Sequence, residues 1–325
     1  MTATARTHHA RTGWVALTDR LARVLKPLAW INLAVEILIV GTGGLVRLSG
    51  SGLGCPRWPE CVSGSITPVK HQAQEWHKYV EFGNRMLTSL VSIVAVLLIL
   101  AIIGHRRSSD RRALLPPALG VLGGIALQAV VGGISVLTHL NPAIVALHFL
   151  ISMALVATSA WLVWQVREHR LVPVRREVRL LGAGTAFVAG LVLMLGTAVT
   201  GAGPHSGDAT HPARFAFSPR SAAWLHADMV MLFCGLVVAM LVATALVEAR
   251  SAFRSWRLVA LVTVLQAIVG YTQYFLGVPG ALVLVHMLMA CLLVVAVTWG
   301  VLATRAPAST VRPTTAPRTT HVPTP

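Results

Sequence analysis

Eight runs of apolar residues, each about as long as a bilayer is thick, alternate with short polar segments along most of the chain. A spanning helix needs about 20 such residues, because the hydrocarbon core is roughly 30 Å thick and each residue rises about 1.5 Å. The runs cover approximately 28–49, 77–103, 114–138, 142–165, 179–201, 222–247, 256–277 and 280–303, which predicts eight transmembrane helices. Residues 1–27 are polar and basic and lead straight into a full-length span, so we expect a cytoplasmic segment and no cleavable signal peptide. The tail, 305–325, is rich in Pro, Thr and Ala and has too little apolar content to fold.

The same pattern contains a duplication. "LQAVVGGISVLTHLNPAIVALH" at 127–148 aligns without a gap to "LQAIVGYTQYFLGVPGALVLVH" at 265–286, with 8 of 22 positions identical. The offset pairs Gln128 with Gln266, Gly132 with Gly270 and His148 with His286. Chance matching of apolar sequence recovers Leu, Val and Ala, but seldom the Gln and the His together. "VRLSGSGLG" and "TAVTGAGPH" give a weaker echo earlier in each half. We therefore expect an all-α membrane protein of two pseudo-symmetric four-helix bundles, 28–170 and 171–304. Four helices return the chain to its starting side, so the repeats are parallel. Transporters also use internal repeats, and duplication alone does not decide function.

Composition agrees with this picture: 55% of the residues are hydrophobic, 12% are charged and the mean hydropathy is +0.71. The formal charge of +16 raises the question of nucleic acid, and its distribution answers it. Lys and Arg gather in alternate connections: before the first span, at 106–112, at 167–179, at 250–257 and in the tail. The positive-inside rule places these segments, and both termini, in the cytoplasm of a multi-pass protein of the cell membrane. Basic charge here sets topology and attracts anionic lipid; no nucleic-acid partner is expected. On the opposite, oxidising side lie Cys55 and Cys61 in "CPRWPEC", for which a disulfide is expected, either as a loop staple or as a redox pair. Cys234 and Cys291 fall inside spans and read as small packing residues.

Ionisable groups inside a membrane are costly and usually functional, so their depth is informative. His148, His226 and His286 each lie roughly 6 to 12 Å below the outer end of a helix, and Glu81 and Asn84 share that layer. Two histidines facing each other within a four-helix bundle suit axial ligation of a haem iron. Zinc needs three or four close ligands, which neither half supplies. His226 and His286 form the better pair. In the first half the repeat assigns His148 to the place of His286, and the fourth corner falls to Asn84, a poor iron ligand. One fully ligated pocket and one half-open pocket imply an electron-transfer haem beside a reacting one. His77 and His139 sit at boundaries, and His105, His169, His205, His211 and His321 in hydrophilic segments, where solvated roles are expected. Glu36 is a carboxylate deep in the first span with no assigned role, and Asp228 should turn away from His226.

Together, "GGLVRLSGSGLGCPRWPEC" at 43–61, "EFGNR" at 81–85 and the three helix-borne histidines resemble haem A synthase, the membrane enzyme that oxidises haem O to haem A for haem-copper terminal oxidases. The resemblance covers about 28–303. It implies an oxidoreductase with haem b in the second bundle, its iron held by His226 and His286. It places substrate haem O in the first bundle near Glu81 and His148, the latter ligating its iron, and implies oxidation of the C8 methyl to a formyl group by successive hydroxylation and loss of water. Haem O synthase, oxidase assembly factors and an unidentified electron acceptor are the implied partners. Many members carry Glu-x-x-His-Arg where this chain has Glu81-x-x-Asn84-Arg85. Glu81 reads either as proton acceptor or water orienter at the reacting methyl, or as the partner of a structural salt bridge to Arg85. Charge and depth nominate Arg85 and Arg47 for haem propionates. The competing readings are a di-haem, quinone-linked electron carrier, whose haems should lie at different depths, and a transporter, which should show broken helices and midplane polar groups.

Overall fold

The computed structural model describes residues 3–105, 108–167, 172–208 and 210–305. The expected disordered tail, apart from Arg305, lies outside the described residues, as does His169. The helices are α1 Ala3–Arg23, α2 Leu25–Leu48, α3 His77–Ile103, α4 Ser108–Leu137, α5 Pro142–Gln165, α6 Arg176–Ala202, α7 Pro219–Leu246, α8 Arg250–Phe275 and α9 Gly280–Ala303. The eight from α2 onward are long and apolar enough to cross a membrane, and the chain is a multi-pass, all-helical membrane protein.

Sharp starts come from local chemistry. Pro142 opens α5 with Asn141 accepting the Ala143 amide, and Pro219 opens α7 behind Ser218. The segment expected to be only a polar leader contains α1, which packs on α3; Leu21 joins the first core, and the Thr18 carbonyl lies against Gly104 so closely that a Cβ there would stand 2.1 Å from it.

Each set of four helices forms a closed ring. Helix α2 packs on α3 and α5, and α4 packs on α3 and α5, while the diagonal pairs α2/α4 and α3/α5 do not touch. The order α6, α7, α8, α9 repeats this arrangement. The corner between α4 and α5 also recurs between α8 and α9. His139 and Leu140 adopt φ of 51° and 59°, and Gly277 and Val278, 138 positions later, adopt 74° and 63°. The amides of Leu140 and Val278 donate to Ser135 and Gln273, each at 2.7 Å, the six-to-one bond that satisfies a helix end.

The packed cores occupy one half of each ring. Leu98, Ile102, Val121, Val156 and Leu162 fill the first, and Phe233, Val237, Met240, Trp256 and Val259 the second. All lie toward the ends away from the long connections 49–76 and 203–218. Toward the long-loop end the helices bury little: α5 has no buried residue before Met153, and α7 has none between Ala222 and Phe233. All three span histidines stand in these sparsely packed halves.

The rings meet where α9 lies against α2 and α5, and where α5 meets α6. Trp299 locks this seam by donating to the Ala160 carbonyl at 2.9 Å and meeting Trp30 edge-on, with Arg167 over both indoles. Higher in the seam, Gly41 faces Leu288 so closely that a Cβ would stand 2.9 Å from its Cδ2. Gly41→Leu should wedge α2 from α9 and cost about 1–3 kcal/mol by overpacking. Thermal unfolding in detergent checks this, and an unchanged midpoint would refute the close contact.

Candidate functional site

Three imidazoles are set into their bundles by the same device. Across from each ring is a glycine on the preceding helix: a Cβ on Gly132 would stand 3.2 Å from Cε1 of His148, one on Gly270 3.2 Å from His286, and one on Gly196 3.3 Å from His226. A side chain there would press the ring back by a few tenths of an ångström. The Gln of the repeat then ties the helices together. Gln128 Nε2 donates to the His148 carbonyl at 2.9 Å, and Gln266 Nε2 to the His286 carbonyl at 3.0 Å. Gln128 also bonds Ser152, one turn below His148.

Among the described residues the Nδ1 atoms of His148, His226 and His286 are shut off from solvent and have no hydrogen-bond partner of good geometry. Such a group costs about 1–3 kcal/mol, so ring placement here is not explained by polar satisfaction within the protein. His226 and His286 stand on α7 and α9, the diagonal pair of their ring, whose helices do not approach closely. Two imidazoles on opposite corners of one ring are the donor set that axial ligation of a haem requires. Among the described residues no group of three or more His, Cys, Asp and Glu stands ready to hold a bare metal ion.

In the first ring the diagonal partner of α5 is α3, which carries Glu81, Asn84 and Arg85. Asn84 is seven residues into α3, as His226 is seven residues into α7. Its Oδ1 accepts from Thr42 Oγ1 on α2 at 2.7 Å. Glu81 is buried, its Oε1 taken by Arg85 Nε at 3.1 Å and Nη2 at 2.5 Å, and its Oε2 by the Cys55 amide at 2.6 Å. The salt bridge considered from sequence is thus present, and it extends into the loop. Cys55 and Cys61 form a disulfide. Arg85 sits under the disulfide ring and donates to the carbonyls of Cys55, Arg57 and Glu60 at 3.0, 3.1 and 3.3 Å. Trp58 of the same ring lies on Gly133, next to the glycine that faces His148. The loop therefore closes the long-loop end of the first ring, with Glu81 and Arg85 as its anchor.

Arg47 does related work between halves. Its Nε donates to the His205 carbonyl at 2.6 Å and its Nη2 to the Thr200 carbonyl at 3.1 Å. Two histidines expected to be solvated are structural instead. His77 Nδ1 pairs with Ser51 Oγ at 2.8 Å while its ring stacks on Trp76, and His205 Nε2 bonds the Val278 carbonyl at 2.9 Å. Asp228 is exposed, away from the buried Nδ1 of His226. Glu36 is buried with Oε1 unpaired, one turn from Asn32, whose Nδ2 bonds Ser159 at 2.9 Å. Thr42 and the three facing glycines had no place in the sequence reading of the site; the glycine at offset 138 within the repeat was the signal available for two of them.

Removing Arg85 strands a buried carboxylate and three carbonyls, so Arg85→Met should cost about 3–5 kcal/mol. Cys55→Ser opens a short ring and should cost about 2 kcal/mol. Because both act through one loop, the double variant should lose less than the sum. Thermal unfolding of the four proteins checks this, and strict additivity would contradict the anchor.

The COX15-CtaA family, described as cytochrome oxidase assembly proteins, matches residues 26–298. A heme A synthase of Methylobacterium radiotolerans is 27% identical over 221 residues, covering 58% of this chain and 59% of that protein. A heme A synthase of Listeria welshimeri is 31% identical over 149 residues, 46% of this chain and 47% of its own length, and one of Oceanobacillus iheyensis is 31% identical over 112 residues, 34% and 35%. The chain thus spans between about a third and three fifths of the length of these curated relatives. A family match that runs through all eight spans, from the start of α2 nearly to the end of α9, makes this chain a member of the COX15-CtaA family of cytochrome oxidase assembly proteins.

Proposed function

We propose that this protein is a haem A synthase, an oxidoreductase that converts the C8 methyl of haem O to a formyl group. The observation that carries the reading is the unequal equipment of two similarly built rings. One offers two imidazoles across its diagonal, and the other offers one imidazole opposite a carboxylate, an amide and a guanidinium. The names of the relatives point the same way.

In this reading His226 and His286 would hold haem b, which would supply electron transfer. Haem O lies in the α2–α5 ring with His148 on its iron. His148 is steadied by Gln128 through its backbone and by the space that Gly132 leaves. Going from methyl to aldehyde removes four electrons from one carbon, which pass to a separate electron acceptor, and adds one net oxygen, with water leaving the twice-hydroxylated carbon. Protons must leave that carbon, and Glu81, the buried carboxylate at the long-loop end of the first ring, would accept them. Its two oxygens are aimed by Arg85 and by the Cys55 amide, which leaves it oriented rather than free to swing. The disulfide loop above it excludes water from the mouth of the pocket. Arg47 and Arg85, already committed to backbone carbonyls, would serve haem propionates through whatever donor capacity remains.

In the same reading both termini are cytoplasmic and the disulfide loop lies on the outer face of the cell membrane, which is the orientation the positive-inside rule favours for the basic connections. Haem O synthase, as source of the substrate, and oxidase assembly factors, as receivers of the product, are the partners this chemistry calls for.

Expression with and without haem O, followed by chromatography and mass analysis of extracted haems, tests the reading. Haem A or its hydroxylated precursor should form only when haem O is present, and Glu81→Gln should lower the yield at least tenfold, the low end for loss of a general base being about a hundredfold. Haem-b-replete protein that leaves haem O unchanged would refute the activity.

A further inference from the structure

The first ring differs from the second at one corner, and the difference is chemical. Asn84 and His226 occupy the same step of their helices, each diagonal to a histidine six residues into its own helix. An amide nitrogen has no lone pair to give to iron, and the amide oxygen of Asn84 is occupied. Thr42 Oγ1 donates to it at 2.7 Å, a closer approach than the 3.2 Å to its alternative acceptor, the Ile39 carbonyl. A hydroxyl that gave its proton to Ile39 would accept from the NH2 instead, so the acceptor Thr42 takes, here Oδ1, sets which way the amide faces. The NH2 group is left with no partner among the described residues and is not among the atoms sealed from solvent. The side chain is only half-buried, on α3, the helix diagonal to α5.

We propose that Asn84 keeps the second axial face of the substrate haem iron open and offers its NH2 as a hydrogen-bond donor to a small molecule bound there, with Thr42 as the positioning residue that sets the amide. This deepens the haem A synthase reading and rests on it. His148 is then the sole protein ligand of the substrate iron. The two rings are specialised by one side chain: where the corner is His226 the haem is closed and carries electrons, and where it is Asn84 the haem is open to a co-reactant of water or diatomic size. Thr42 matters because an amide free to rotate would present its oxygen half of the time, which repels the electron-rich end of such a molecule instead of binding it.

Carbon monoxide is the probe. Protein carrying haem b is loaded with haem O, reduced and titrated with CO while the visible, infrared and EPR spectra are followed. The wild type should bind one CO per haem O and none at haem b, and its ferric haem O should be high-spin. Asn84→His should make haem O low-spin and abolish CO binding, leaving the haem b spectrum as an internal control of folding. Asn84→Leu should still bind CO, with the C–O stretch shifted upward and CO released about fivefold faster, as for loss of one neutral hydrogen bond. Thr42→Val should retain haem O and split or shift the stretch toward the Asn84→Leu value. A wild type whose bound haem O is low-spin and refuses CO overturns the proposal, and so do Asn84→Leu and Thr42→Val variants with wild-type stretch and release. Protein that fills with haem b but never retains haem O overturns the haem A synthase reading itself.

Discussion

An imidazole placed under hydrocarbon must be given partners or a job, since the membrane offers no water to satisfy it. Three such rings stand six or seven residues into their helices, each with a ring nitrogen sealed and unpaired among the described residues, and much else follows from accommodating them. Glycines at 132, 196 and 270 clear the opposing helix surface. Gln128 and Gln266 clamp the helix that bears the ring. The close-packed cores retreat to the other half of each bundle, leaving the histidine-bearing halves open along their diagonals.

The loop above the first bundle is the second consequence. A carboxylate and a guanidinium at the mouth of α3 would be expensive alone, and together they are still short of partners. The disulfide ring supplies these from its backbone: one amide to Glu81 and three carbonyls to Arg85. The charged patch that interrupts an apolar helix is therefore the anchor of the loop that closes the first ring. A role for Glu81 in proton transfer and its role in holding the loop draw on the same contacts, so the chemistry would proceed beneath a lid fixed by the group that takes part in it.

Much of this was legible in the chain. The spans 77–103, 142–165 and 280–303 coincide with helices to the residue, since α5 starts at a proline and α9 directly after one. Helix α4 begins earlier than its apolar run because its first turns are charged, and α1 was missed because its helix is built from polar and basic residues. Matched depth singled out the histidines, and the repeat paired Gln128 with Gln266 and Gly132 with Gly270. Thr42 was invisible: a threonine in an apolar helix ordinarily bonds its own backbone, and a cross-helix partner depends on the rotation of two helices about their axes. The acceptors of Arg85 and Arg47 were equally hidden, because a backbone carbonyl carries no residue signature. His205 looked like a loop residue and proved to be a tie to the α8–α9 corner.

In the proposed function each ring holds one haem, the second by two histidines and the first by His148 alone. Haem content and EPR of protein loaded with both haems, in His148→Ala and His286→Ala variants side by side, test this. His148→Ala should lose the high-spin haem O signal and keep low-spin haem b, while His286→Ala should do the reverse. Loss of both signals in both correctly folded variants, or of neither, would contradict it.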